Sequence, residues 1–164
     1  MMKCLIFSDS HGNEENIREA MRMHRDAEAI FFLGDGLRDI DSVASDYPDK
    51  IFVTVRGNCD VYPYFRGMDV EKCVTLSLGG RRITATHGDL YGVKYGLGML
   101  HKLASDTGSD IILFGHTHEK REERFIRGEK SVSLFNPGSI GSGSFGILIL
   151  GDAPSFSYGI VERY

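Results

Sequence analysis

A chain of 164 residues, 41% of them hydrophobic, can bury one proper core and needs no more than a single domain spanning 1–164. Its net charge of -4 argues against a general nucleic-acid or membrane-surface protein, because those partners select clustered Lys and Arg. The cysteines, Cys4, Cys59 and Cys73, leave an odd count without zinc-type or disulfide-type spacing, which reads as reduced thiols in a cytoplasmic protein.

In chain order, Met1 to Phe7 leads directly into a strand over Cys4 to Ser8 and lacks the charged-then-apolar layout of a signal peptide. Asn13 opens a helical pattern that places Ile17, Ala20, Met21 and His24 on one face. Ala29 to Leu33 is a second buried strand, Asp39 to Tyr47 a short helix ended by Pro48, and Ile51 to Val55 a third strand. A loop with Tyr62, Pro63, Tyr64 and Phe65 follows. Val74 to Leu78 and Arg81 to Thr86 flank Gly79 and Gly80, which reads as a hairpin. Leu97, Leu100 and Ala104 predict a helix between Tyr95 and Ser105, and Ile111 to Phe114 is again strand. The remainder, with Ser131 to Phe135, Phe145 to Leu150 and Phe156 to Val161, reads as all strand. No apolar stretch approaches the ~20 residues that span a bilayer. The pattern predicts a mixed α/β fold of two packed sheets flanked by helices.

Polar residues then fall in a consistent place. Asp9, Asp35, Asn58, His87 and His116 each follow a strand on its C-terminal side, and open α/β sheets form their ligand crevice at that edge. Taken singly they have plain readings: Asp9 as a helix N-cap, Asp35 and Asn58 as turn residues beside glycine, His87 as a core histidine, His116 and His118 as loop residues. Their joint placement outweighs those readings. Imidazole nitrogens mixed with carboxylate oxygens suit manganese, nickel, iron, cobalt or zinc better than calcium or magnesium. Two such ions about 3.5–4 Å apart need a bridging carboxylate, for which Asp35 is the natural choice. Their charge, set against Asp9 and Asp35, leaves the site at roughly +2 and attractive to a phosphate oxyanion.

The series Asp9, Ser10, His11; Gly34, Asp35; Gly57, Asn58, Cys59, Asp60; Thr86, His87, Gly88; and Gly115, His116, Thr117, His118 resembles the calcineurin-like metallophosphoesterase superfamily. Within it, the chain is most similar to the compact YfcE-like phosphodiesterase branch, which Asn136, Pro137, Gly138 and Ser139 also resemble. The resemblance spans about two thirds of the chain and implies a two-sheet αββα sandwich. It implies two divalent transition-metal ions, manganese foremost. Asp9, His11, Asp35 and His118 would hold one, and Asp35, Asn58, His87 and His116 the other. It implies hydrolysis of a small phosphodiester by a metal-activated hydroxide, with Asp35, Asn58, His87, Cys59 and Asp60 as the candidate catalytic set.

Cys59 departs from the broader superfamily, where many members carry His directly after the motif Asn. A thiol with an ordinary pKa near 8.5 is a poor proton donor at neutral pH and carries no positive charge, which favours diesters and good leaving groups over alkyl monoesters. Asp60 and Asp39 are candidates to orient a histidine or to cap local turns. Ser10 and Thr117 read as loop braces, and Arg56, Tyr62, Tyr64 and Arg66 as candidates for a pocket wall. His24 and His101 lie outside every motif and read as packing or surface residues, Cys4 as core and Cys73 as structural. The strand-rich C-terminal third is a candidate homodimer or higher-oligomer surface. The alternative is a non-catalytic scaffold like the retromer subunit that shares this fold with a degraded metal site, since fold alone does not secure catalysis.

Overall fold

Apolar runs too short for helices form the central strands of two sheets, in a computed structural model that describes residues 1–162. In chain order the elements are β1 (Met2–Phe7), α1 (Glu14–Met23), β2 (Ala29–Phe32), α2 (Leu37–Ala44), β3 (Ile51–Thr54) and a small hairpin of β4 (Tyr64–Phe65) and β5 (Met68–Asp69). They continue with β6 (Cys73–Leu78), β7 (Arg81–Thr86), α3 (Gly98–Thr107), β8 (Ile111–Leu113), β9 (Lys120–Arg127), β10 (Lys130–Pro137), β11 (Ser144–Leu150) and β12 (Ser155–Ile160). The first sheet has the order β12-β11-β1-β2-β3 and the second β6-β7-β8-β10-β9. Strands β1, β2 and β3 are mutually parallel, as are β7, β8 and β10.

Strand periodicity decides which residues meet. Cys4, Ile6, Ala29 and Phe31 point between the sheets and pack on Ile83, Ala85, Ile111, Leu113 and Phe135. Their alternates Leu5, Phe7, Ile30 and Phe32 point outward under α1 and α2, against Ile17, Ala20, Met21, Ile40 and Val43. On the far side Leu100, Leu103 and Ala104 of α3 cover Ile112, Val132 and Leu134. The four layers are the αββα sandwich that the resemblance implies.

Three elements differ from the sequence reading. Helix α2 starts at Leu37 rather than Asp39, because the backbone N–H groups of Gly36 and Leu37 both donate to Asp60 Oδ1, a cap from far downstream. It ends at Ala44, and Asp46 and Tyr47 continue as tighter turns bonded to Val43 and Ala44. Helix α3 starts at Gly98 rather than Tyr95, because Gly92 and Gly96 take positive φ and make Val93–Leu97 a loop. The β4–β5 hairpin, in a segment read as a loop, carries no apolar alternation that would announce it. The charged edge strand β9 lies in the segment read as all strand and is set by pairing with the buried run of β10.

Phe31 is fully buried between the sheets. Phe31→Ala should lower the unfolding free energy by about 3–5 kcal/mol, read from the urea midpoint; a loss below about 1 kcal/mol would contradict this packing.

Candidate metal centre

Backbone strain concentrates at one edge of the sandwich. Among the described residues six non-glycines have positive φ, and five of them are Asp9 (56°), His11 (45°), Asp35 (61°), His116 (71°) and His118 (62°). A left-handed backbone costs an L-residue roughly 1–2 kcal/mol, so such a cluster needs support and marks a functional site. The support is a lattice of backbone bonds between loops. Asp9 N donates to Gly34 O at 3.0 Å, His11 N to Asp35 O at 3.1 Å and Gly115 N to His87 O at 2.9 Å.

These loops leave the C-terminal ends of β1, β2, β7 and β8, so the two sheets meet here. Asp9 Oδ2 accepts from Ser8 Oγ at 2.6 Å and from the His116 backbone N at 3.1 Å. Its other oxygen, Oδ1, is buried without a hydrogen-bond partner. Three imidazole Nε2 atoms face that oxygen: His118 at 3.3 Å, His11 at 3.7 Å and His87 at 3.8 Å. Asp35 Oδ1 accepts from the Cys59 N–H at 2.8 Å, while Oδ2 lies 3.2 Å from His87 Nε2 and 3.7 Å from His11 Nε2. His116 Nδ1 is 3.2 Å from His87 Nε2, and His11 Nε2 is 3.3 Å from His118 Nε2. Two groups result, Asp9–His11–His118 and Asp35–His87–His116, each with its donor atoms within 4.8 Å of one another. The His11–Asp35 and His87–Asp9 contacts join them.

The donor set fits divalent cations. His87 Nδ1 lies 2.7 Å from Leu33 O, a carbonyl that can only accept, so Nδ1 carries the proton and the Nε2 lone pair faces Asp35 and His116. Burial favours the neutral His87 ring, yet its contact with Asp35 and the charge of Asp9 outweigh that and raise its pKa. For Asp35, burial pushes the pKa up, but the His87 contact and charge overcome it and bring the carboxyl down to about 2. The pair thus favours positive charge where the donor atoms converge. Burial lowers the His116 pKa, helped by the charges of His87 and Lys94. Cys59 goes the other way: burial and the nearby Asp35 carboxylate raise its thiol pKa.

Bracing residues surround these groups. Asp60 accepts four backbone N–H bonds, Oδ1 from Gly36 and Leu37 and Oδ2 from Asp35 and Gly57, at 2.8–3.0 Å. Asp39 Oδ2 accepts from Ser10 Oγ at 2.6 Å and the Gly12 N–H at 2.8 Å. Among the described residues neither makes a hydrogen bond to a histidine, and apart from the Gly57 N–H their partners lie 23–29 positions away, so they brace distant loops rather than cap local turns. Asn136 Nδ2 donates to Gly115 O and Thr117 Oγ1, both at 3.1 Å, and Ser139 Oγ to Asp9 O at 2.7 Å. The loops approach so closely that a Cβ on Gly57 would collide with Asp35 Oδ1, and one on Gly115 with Ser8 Oγ.

Asp9, His11, Asp35, His87, His116 and His118 are thus brought together. Asn58 lies exposed at the rim, its amide Nδ2 3.6 Å from Cys59 Sγ. Of the four wall candidates only Tyr62 lines the cleft beside the centre. Arg66 instead stacks on Phe52 and Phe65, and Arg56 bonds Glu71 through its backbone. His24 packs on Phe145 and His101 stacks on Phe125, outside the centre as expected. The sequence reading missed Arg38, whose ring contact with Tyr62 brings together residues distant in sequence.

Two sheets meeting at a histidine–aspartate cluster form a candidate metal centre, and comparison with known proteins identifies the family that carries it. The sequence matches the calcineurin-like phosphoesterase superfamily domain over residues 2–155. It is 35% identical over 140 residues to the probable metallophosphoesterase YsnB of Bacillus subtilis (strain 168), covering 85% of this chain and 75% of that protein. The chain belongs to the calcineurin-like phosphoesterase superfamily. Among solved structures it is similar to YfcE, a phosphoesterase from E. coli, with 25% identity, a TM-score of 0.64 and coverage of 90% of this chain and 88% of that one. Vps29 of Entamoeba histolytica, solved in complex with zinc, shares the fold at 17% identity and a TM-score of 0.71, covering 97% of this chain and 99% of that one.

Asp60→Ala removes an anionic acceptor from four N–H groups and should destabilise the protein by about 2 kcal/mol or more, measured by urea unfolding. Wild-type stability in this variant would contradict the bracing role.

Proposed function

We propose that this chain is a cytoplasmic phosphodiesterase that works with two divalent transition-metal cations, manganese foremost, on a small phosphoester. The observation that carries this reading is the pair of linked donor groups. Asp9 Oδ1 is buried, unpartnered and faced by three imidazole nitrogens, and Asp35 Oδ2 lies near both His87 and His11. Asp9, His11, Asp35 and His118 would hold one cation, and Asp35, Asn58, His87 and His116 the other. Bound there, divalent cations supply positive charge for phosphate oxygens and make water acidic enough to react at neutral pH.

The chain's own groups set the conditions for that chemistry. His87 is locked by Leu33 into the tautomer that leaves Nε2 free, and Asp35 serves both groups through an oxygen that Cys59 N–H does not occupy. Asn58 offers a neutral amide oxygen, which adds a donor without reducing positive charge. Asp60 and Asp39 are positioning residues. Cys59 holds its proton more tightly than an ordinary thiol, so it neither donates readily to a poor leaving group nor adds charge for a monoester dianion. Both properties favour diesters with good leaving groups. One water adds through oxygen to phosphorus as one ester P–O bond breaks. One proton ends on the leaving oxygen and the other in solvent, giving a monoester and an alcohol.

The filled donor set weighs against a pure binding scaffold. Chelator-stripped protein resupplied with manganese, nickel, cobalt or zinc should hydrolyse bis(p-nitrophenyl) phosphate faster than p-nitrophenyl phosphate and bind two cations per chain by calorimetry. His116→Ala should lose more activity than the about 10–100-fold that outer-sphere partners cost. Cys59→His should raise turnover of alkyl monoesters. No hydrolysis with any metal, by protein shown to be folded, would refute the enzymatic reading.

A further inference from the structure

Two clefts flank the centre, one on each sheet's side of the seam. The first, about 290 Å³, combines His11, Asp35 and Cys59 with Arg38, Val61 and Tyr62. The second, about 460 Å³, is lined by Lys94, Tyr95, Phe114, Thr117, Glu119 and Arg121, the last of these paired with Glu123 at 3.1 Å. Thr117 stands between His116 and His118, so the second cleft abuts the loop that carries those histidines.

Both clefts present the same pair of groups, a cation without a carboxylate partner and a tyrosine. The Arg38 guanidinium lies over the Tyr62 ring, 5.1 Å from its centroid, and forms no ion pair among the described residues although Asp35, Asp39 and Asp60 line the same cleft. Lys94 is exposed and makes neither hydrogen bond nor ion pair among the described residues. Tyr95 beside it is 96% exposed. Its loop is built to hold it out. Val93 and Leu97 anchor in the core under α3, Gly92 and Gly96 supply φ of 58° and 149°, and the Tyr95 N–H closes the turn on Gly92 O at 2.9 Å. A large ring kept in water on an anchored turn contributes little to folding, and aromatic faces beside cations are how proteins hold nucleotide rings and phosphates.

A monoester has one substituent and would use one cleft. A diester has two, diverging from phosphorus. Resting on the phosphodiesterase reading, we infer that the substrate is a nucleotide-type phosphodiester whose two arms lie in these two clefts, rings against Tyr62 and Tyr95, with Arg38 and Lys94 facing its anionic oxygens. Hydrolysis by one water then breaks one P–O ester bond and gives a nucleoside monophosphate and the alcohol of the other arm.

The test compares two esters with the same leaving group, the p-nitrophenyl ester of thymidine 5′-monophosphate and methyl p-nitrophenyl phosphate, on the full chain with manganese. The wild type should favour the two-ringed ester by about tenfold or more in kcat/KM. The double variant Arg38→Ala/Tyr95→Ala, with wild-type circular dichroism, should lose most of that preference through KM. An equal preference in the variant, or none in the wild type, overturns the inference while leaving the phosphodiesterase reading intact. Absence of metal-dependent turnover of both esters overturns that reading, and the inference with it.

Discussion

A buried carboxylate oxygen without a donor is the constraint around which this molecule is arranged. Asp9 Oδ1 lies at the seam between the sheets with three imidazole nitrogens and no hydrogen bond. An ionised oxygen left so in an apolar interior is costly, and folding tolerates it only where positive charge compensates. Burial favours a neutral His87 ring, but its contact with Asp35 and the charge of Asp9 raise its pKa, a local preference for positive charge. Divalent cations would do so more completely, and the other features of this edge make sense as means of presenting donor atoms to them.

Presenting those atoms requires backbone that the sequence would otherwise avoid. Five liganding candidates sit in left-handed conformation, and the strain is borne by neighbours that are not. Asp60 gathers four N–H groups from the Asp35 and Gly57 loops, Asp39 ties down the loop after Ser10, and Asn136 and Ser139 hold the Gly115 and Asp9 backbones. The inter-sheet core supplies the stability against which this strain is set, which is why Phe31 and Phe135 matter to a site they never touch. Rigid donors of this kind need little reorganisation when a ligand arrives.

Much of this was legible in the sequence because its signals are local. Short apolar runs followed by Gly-Asp, Gly-Asn or Gly-His-Thr-His identify both the strands and the polar residues at their C-terminal ends. Most of what escaped depends on distant partners. Helix α2 begins where Asp60, more than twenty positions later, caps it, so periodicity alone placed its start at Asp39. The β4–β5 hairpin pairs Tyr64 with Asp69 and Phe65 with Met68 in a segment that reads as loop. Arg38 falls just before the helix predicted from Asp39, and only the approach of the Tyr62 loop gives it a ring partner in the cleft beside the centre.

The distribution of negative charge bears on why an anion would come to a chain of net charge -4. Four aspartates crowd the centre, and as free carboxylates they would repel a phosphodiester. Two of them are spent on other partners. The Asp60 charge is spread over four N–H dipoles, including the first N–H groups of α2, and Asp39 faces a hydroxyl and an N–H. Of these four, Asp9 and Asp35 remain to offset the cations of the proposed centre, with Asp89 adding its charge near His116, while the uncharged Asn58 and Cys59 stand at its rim. With cations bound as proposed, the local field would be governed chiefly by them together with Arg38 and Lys94, and the acidity of the rest of the surface is screened within about 10 Å at ordinary ionic strength.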